Sequence, residues 1–338
     1  MRKRILFLAL LMFFAAALVL AHQTYTFFTT PAQYPGEDVI IEVPAGGTFR
    51  GVAEQLEEKG VITSSWKFLL LGKLTEKDQG IKAGEFRLNS GWTPSEILRS
   101  LVAGRPVLYK VQLREGLTWW QSGEIIAATG LTDVESFAES IRDRTLLEAY
   151  NIPGDTAEGF LFPETYYLPR PKNQSARPVV ETLLKGFWTQ AAPLVWPDET
   201  PTSEEVMQLV IIASLVEKET SVPSERATVA GVYLNRIERG MLLQADPTII
   251  YGLGTEFDGN LRRVHLNDPS NPYNTYQHKG LPPGPICSPG LASMLAVANP
   301  EQHNYLYFVA KGDGSHHFSK TLKEHNAAVY KYQIKPRK

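Results

Sequence analysis

Cysteine is almost absent from this 338-residue chain: Cys287 stands alone, so no internal disulfide can form and the fold must hold by its core even in an oxidising compartment. Neither sign of charge is in excess. Lys and Arg total 34 against 36 for Asp and Glu, with the signs interspersed, which leaves no basic field for nucleic acid. There is no Gly-x-Ser-x-Gly nucleophile turn, and Ser214 and Lys218 stand one residue too far apart for Ser-x-x-Lys, so a serine hydrolase is disfavoured. No phosphate loop or dinucleotide glycine pattern occurs. His316 and His325 lack the His-Glu-x-x-His context or any other metal-ligand spacing, so they read as hydrogen-bonding residues and no metal or cofactor is expected.

The chain does contain one long apolar run. After Arg2, Lys3 and Arg4, the segment Ile5 to Ala21 carries no charged residue and ends at His22. As a helix it would span roughly 25 Å, within the lower range for crossing a bilayer and longer than an ordinary signal-peptide core. The basic cluster should stay in the cytoplasm and place the long C-terminal portion on the far side. A cleaved signal is the alternative, because Val19 and Ala21 fit a small-residue cleavage site. A hydrophobic share of 43% supports real cores in the remainder, which is long enough for two domains.

The N-terminal half reads as strand-then-helix units. Val39 to Val43 is strand-like and is followed by Pro44, Gly46 and Thr48, with Val52 and Leu56 on one helix face. Glu85 to Leu88 is followed by Gly91, Thr93, Pro94 and Glu96, and Val107 to Leu113 by Gly116, Thr118 and Gln121. Each glycine lets the chain turn out of the strand, and each threonine hydroxyl satisfies a free helix amide. Such units suit two-layer α/β packing.

The C-terminal half carries the chemistry. Glu158 to Tyr167 is aromatic-rich, with two carboxylates and a proline that rules out an ordinary helix. Pro169 to Pro178 reads as a surface loop, and Thr202 with Glu205 as a capping box. The pattern predicts a helix from about Glu204 to Glu219, in which Val206, Leu209 to Ala213, Leu215 and Val216 leave almost no polar face, so it must be buried nearly all round. Glu217, Lys218 and Glu219 come at its end, where apolar surroundings would favour a neutral Glu217 carboxyl, the form of a general acid. The alternative is that Glu217 pairs with Lys218 or Arg226 and only decorates a helix terminus.

Ala213 to Thr220, Asn235-Arg236, Leu243 to Thr248 with Tyr251-Gly252, Tyr273 to Tyr276, Gly280 to Ile286 and Tyr307 to Ala310 follow one another in order. Together with Gly314, His316, Phe318, Thr321, His325 and Asn326, they resemble the endolytic murein transglycosylase (YceG-like) family over essentially the whole chain. Residues Val43 to Leu56 resemble, weakly, the start of a LysM-like carbohydrate-binding module. His317 and Ser319 depart from the expected pattern. The resemblance implies that Glu217 is catalytic and that the chain is a lytic transglycosylase, a lyase that cleaves the MurNAc-GlcNAc β-1,4 bond. The muramic C6 hydroxyl attacks in place of water, leaving a 1,6-anhydroMurNAc end. It further implies endolytic action on nascent strands, terminating their elongation.

One carboxylate can serve both proton transfers, whereas ordinary glycosidases need two. Glu219 lies roughly 200° round the helix from Glu217, so the two should not flank one bond. Glu164 and Asp246 are the better candidates for a second acid, while Gln244, Asn274, Thr275 and Tyr276 offer groups suited to acetamido and pyranose recognition. Gly280 to Gly290 should wall the cleft. The expected fold is α+β: a membrane helix over residues 1–22, a LysM-like small α/β region over 38–110 and a mixed α/β catalytic domain over 111–334. Expected partners are glycan strands, the cytoplasmic (inner) membrane through a single-pass anchor, and peptidoglycan synthases or penicillin-binding proteins, with no nucleic acid. A non-catalytic wall-binding scaffold and a hydrolytic muramidase are the competing readings.

Overall fold

The apolar N-terminal run folds as one continuous helix, α1 (Arg2–Thr29), in a computed structural model that describes residues 2–44, 46–198 and 200–334. Met1 of the expected anchor, Ala45 of the first strand-to-helix turn and Glu199 lie outside the described residues. Leu6–Thr29 is long and apolar enough to cross a membrane. The helix runs past the apolar stretch, and there it changes character: large side chains such as Phe13 and Leu18 are exposed, but Thr24 and Phe27 are buried.

The chain divides into two compact units, Met1–Tyr109 with Leu168–Arg170, and Lys110–Tyr167 with Pro171–Lys338. In the first, β1 (Asp38–Val43) pairs antiparallel with β2 (Gly84–Asn89), with Ile41 opposite Phe86 and Val39 opposite Leu88. Alternate residues Ile41, Val43, Phe86 and Leu88 are buried, as strand periodicity requires when one face is covered. The cover is α2 (Phe49–Glu58), α3 (Ser65–Leu74) and α4 (Pro94–Ala103), which add Leu56, Phe68, Ile97 and Leu101 to one core that also takes Phe27. Arg170 joins this unit through Glu85 at 2.8 Å and the Tyr109 hydroxyl at 2.7 Å.

Every threonine read as a cap is one. Thr48 accepts from the Gly51 amide, Thr93 forms a capping box with Glu96, Thr118 one with Gln121 and Thr202 one with Glu205. Thr93→Ala should therefore cost about 1 kcal/mol. Urea denaturation checks this, and an unchanged midpoint would mean that the box contributes nothing net.

The three strand-then-helix units do not form one layered array. β3 (Tyr109–Gln112) pairs with β4 (Thr165–Leu168), far along the chain, and joins neither β1 nor β2. A backbone partner from outside the local pattern completes the third unit.

The second unit is largely helical: α5 (Trp119–Ala128), α6 (Val134–Ser140), α7 (Arg144–Ala149), α8 (Arg177–Gly186), α9 (Ala192–Val195), α10 (Ser203–Glu219), α11 (Arg226–Glu238), α12 (Asp246–Leu253), α13 (Arg263–Leu266), α14 (Leu291–Ala298) and α15 (Leu322–Val329). One further hairpin, β5 (Tyr307–Ala310) and β6 (His316–Ser319), pairs antiparallel. Helix α10 is its centre. Val210 through Val216 are buried without interruption, and α10 packs against α11, α12 and α14. Ser214, polar within that run, donates to the Ile211 carbonyl at 2.7 Å and accepts from the Ile286 amide at 3.1 Å. The hydroxyl thus ties the buried helix to the segment before α14. Cys287 is buried beside it.

Candidate functional site

Helix α10 stays buried through Val216, and the next three residues leave it in different directions. Glu217 is half-buried and accepts two hydrogen bonds on Oε2, from the Gly290 amide at 3.0 Å and from Ser293 Oγ at 2.7 Å. Both donors belong to the first turn of α14, where free amides and the helix dipole favour an acceptor. Oε1 has no hydrogen-bond partner among the described residues. The carboxyl opens into a cleft of about 490 Å³ lined by Gln112 to Glu115, Pro163 to Thr165 and Glu217.

A loop shapes one wall of this cleft. Arg114 to Leu117 is pinned to the chain before α14 by two backbone bonds, Gly116 N to Ser288 O at 2.9 Å and Ser288 N to Leu117 O at 2.8 Å. Gly116 has φ of +76°, a left-handed turn that suits glycine, and Lys218 Nζ caps its carbonyl at 3.2 Å. Glu115 then lies directly over Gly290: a methyl group built on that glycine would fall inside the Glu115 carboxylate. Partial burial and then the charge of Glu217 push the Glu115 carboxyl above its ordinary range, against an opposing pull from Arg226. Glu164 lines the same cleft, exposed, with its Oε1 accepting from the Thr165 amide at 2.8 Å.

The other expected site residues sit elsewhere in this unit. Gln244, Asp246 and Tyr276 line a second pocket, of about 560 Å³, together with Glu219, Arg236 and His316. The Tyr276 hydroxyl donates to Asp246 Oδ1 at 2.6 Å. Glu219 accepts from the Tyr233 hydroxyl at 3.2 Å, and burial raises its carboxyl above the ordinary range.

Asn274 and Thr275 are fully buried and serve the loops. Asn274 Nδ2 donates to the carbonyls of His265, Leu266 and Asp268, while its Oδ1 receives the Tyr276 amide at 3.0 Å. Thr275 Oγ1 receives the Ala245 amide at 2.9 Å, and its carbonyl receives the Gln244 amide at 3.1 Å. These bonds hold Gln244 in a left-handed conformation, φ +49°, which a non-glycine residue keeps only when its surroundings impose it. The pair thereby positions Gln244, Asp246 and Tyr276.

One expectation about burial shifts to other residues. Glu217 is only half-buried, because the apolar face of α10 ends at Val216 and the cleft begins there. The fully desolvated carboxyl is that of Glu158, pushed up to about 7 by burial against the opposing pull of its hydrogen bonds from the Trp119 and Gly159 amides and from Tyr251. Sequence reading also passed over Glu115, Gly290 and Ser293 in these roles. The signal available for Glu115 was a carboxylate between a strand end and the Gly116 turn. For Gly290 and Ser293 there was only a glycine before an apolar helix. Among the described residues no cluster of His, Cys, Asp and Glu is placed to hold a metal ion.

Residues 41–331 match the YceG-like family. The chain is 32% identical to a Bacillus subtilis protein named endolytic murein transglycosylase, over 87% of this chain and 84% of that one. It is 27% identical to a Streptococcus pneumoniae protein of the same name, over 86% of this chain but 58% of the longer relative. The crystal structure of a YceG-like protein from Listeria monocytogenes superposes with a TM-score of 0.57 at 29% identity, covering 86% of this chain and 99% of that one.

Proposed function

The chain belongs to the YceG-like family, and from that premise we propose that it is a peptidoglycan lytic transglycosylase with Glu217 as its acid/base, held at the membrane by α1 with its remaining mass on the outer side. The observation that carries this reading is the state of the Glu217 carboxyl. Its Oε2 is fixed by two donors while Oε1, in an open cleft, has no hydrogen-bond partner among the described residues, so one oxygen orients the group and the other is available to a substrate.

Protonated Glu217 gives its proton to the glycosidic oxygen as the bond from the anomeric carbon to that oxygen breaks. The resulting carboxylate then takes the proton of the muramic C6 hydroxyl, whose oxygen bonds to the anomeric carbon and closes the 1,6-anhydro ring. The carboxyl ends as it began, so one group suffices. Gln244, Asp246 and Tyr276 supply an amide, a carboxylate and an aromatic hydroxyl for sugar contacts, positioned by Asn274 and Thr275; Glu164 lends a further acceptor at the cleft.

We further read residues 38–110 as a LysM-like glycan-holding region, and the whole as an endolytic enzyme that ends the elongation of nascent strands near the membrane. Mass spectrometry of glycan digested by the purified protein tests the chemistry. Anhydro ends are expected. Reducing ends would mean a hydrolytic muramidase, and intact strands a wall-binding scaffold.

A further inference from the structure

We propose that Trp66 and Lys67, in the first turn of α3, make a phospholipid-headgroup contact that seats the first compact unit on the outer surface of the bilayer crossed by α1. The inference rests on α1 being a retained anchor with the remaining mass on the outer side, as proposed above.

The anchor helix enters this unit without a break. Leu6 to Gln23 is exposed throughout, whereas Thr24 and Phe27, on the same helix, are buried. Phe27 belongs to one core with Leu56, Phe68 and Leu101, and α1 packs against α3 and α4. The end of the helix is tied down as well. Ser95 Oγ donates to the Phe28 carbonyl at 2.9 Å, the Gln33 amide to the Ser90 carbonyl at 3.2 Å, and the Ser90 amide to the Glu37 carbonyl at 2.9 Å. A continuous helix buried at its end is a stiff strut, so the lipid surface must meet the part of the unit that surrounds Phe27.

Length then sets the depth. Leu6 to Gln23 spans roughly 27 Å at about 1.5 Å per residue, slightly less than the ~30 Å hydrocarbon core. Thr24 therefore stands at the hydrocarbon boundary, and Phe27, about 4.5 Å farther along the axis, stands in the headgroup layer. The small shortfall draws the unit toward the membrane. Lys67 Nζ lies 5.7 Å from the centre of the Phe27 ring and 5.9 Å from that of Trp66, so the cation and the indole share the depth of Phe27. Trp66 is 53% exposed, an aromatic surface that the core does not use, and Tyr25 on the helix itself is exposed at the same level. Trp and Tyr favour the boundary between lipid and water, and a lysine ammonium there meets lipid phosphate. Among the described residues Lys67 makes no ion pair, and the nearby Glu57 carboxylate accepts from the Ser65 amide at 3.0 Å. Trp92, the other tryptophan of this unit, lines a separate cleft with Arg99 and Arg105 and serves as the control.

The test places the full-length protein in vesicles of phosphatidylcholine and phosphatidylglycerol, part of the lipid carrying bromine high on the acyl chains, where it quenches tryptophan on contact. The native protein should lose about one sixth of its emission, the share of one tryptophan among six. Trp66→Phe, verified as folded by circular dichroism, should lose none, and Trp92→Phe should be quenched like the native protein. Quenching that persists in Trp66→Phe, or that is absent from the native protein, overturns the contact. Native quenching should be greater with phosphatidylglycerol than with phosphatidylcholine alone, and Lys67→Gln should abolish that difference. A difference that survives in Lys67→Gln, or that the native protein lacks, refutes the part given to the lysine. If Trp66 emission responds to added chitin oligomers and not to brominated lipid, the residue is a sugar platform and the inference falls. Release of the native protein from the vesicles by alkaline carbonate would instead sink the anchor reading, so the two failures are distinguishable.

Discussion

Glu217→Gln should abolish glycan cleavage while leaving the protein folded, with a loss of ~10² to 10⁴ in rate, the usual contribution of a general acid/base. The amide preserves the shape of the side chain, and its oxygen can still accept from the Gly290 amide and Ser293 as Oε2 does now. What would occupy the free position is an NH₂ group, which has no acidic proton to give and no lone pair with which to take one back. Both steps fail together. The check is product formation by mass spectrometry beside a thermal melt of the same sample. A folded variant retaining more than half of native activity would remove Glu217 from the reaction and shift attention to Glu115 or Glu164, the other carboxylates of that cleft.

The largest effect on stability should come from Glu158, and it should depend on pH. Its folded-state value of about 7 lies above the ordinary 4.5, because burial outweighs the hydrogen bonds from Trp119, Gly159 and Tyr251. Below pH 4.5 the carboxyl is neutral in both folded and unfolded chains and exerts no differential effect. Between 4.5 and 7 the unfolded chain ionises while the folded one resists, so stability is lost as pH rises through this window, about 3 kcal/mol in all.

Glu158→Gln has no charge to bury and should lose that slope. At pH 4.5 it should nonetheless be weaker than the native protein by ~1 to 3 kcal/mol, because Oε1 and Oε2 each accept from a backbone amide and the new NH₂ must face one of them. Urea unfolding of both proteins from pH 4.5 to 8 measures the difference directly. Other titrating groups are common to the two and cancel, so parallel curves would show that Glu158 ionises normally in the fold.

Much of the molecule is legible from local pattern. The apolar run that becomes α1, the threonine caps, the alternation in β1 and β2 and the all-round burial of α10 each follow from spacing of a few residues, because helix and strand periods are short-range properties of the backbone. Glu217 at the end of α10 also grows from such local order, whereas Tyr276 reaches Asp246 from 30 positions along the chain.

What surrounds those residues comes from the tertiary structure alone. Gly290 and Ser293 reach Glu217 from more than 70 positions away, and Glu115 meets them from another loop held by the Ser288 backbone bonds. The partition of the expected residues between two pockets, and the burial of Glu158 in place of Glu217, arise in the same way. The physical reason is that periodicity sets which face a side chain takes, while the charge state and reach of a carboxylate depend on the donors, charges and solvent that distant segments bring to it. The sequence by itself therefore determined the elements and the helix end that presents the acid; only the packing of α14 and the Glu115 loop against that helix end decided what holds Glu217 in place and which carboxylate stands beside it.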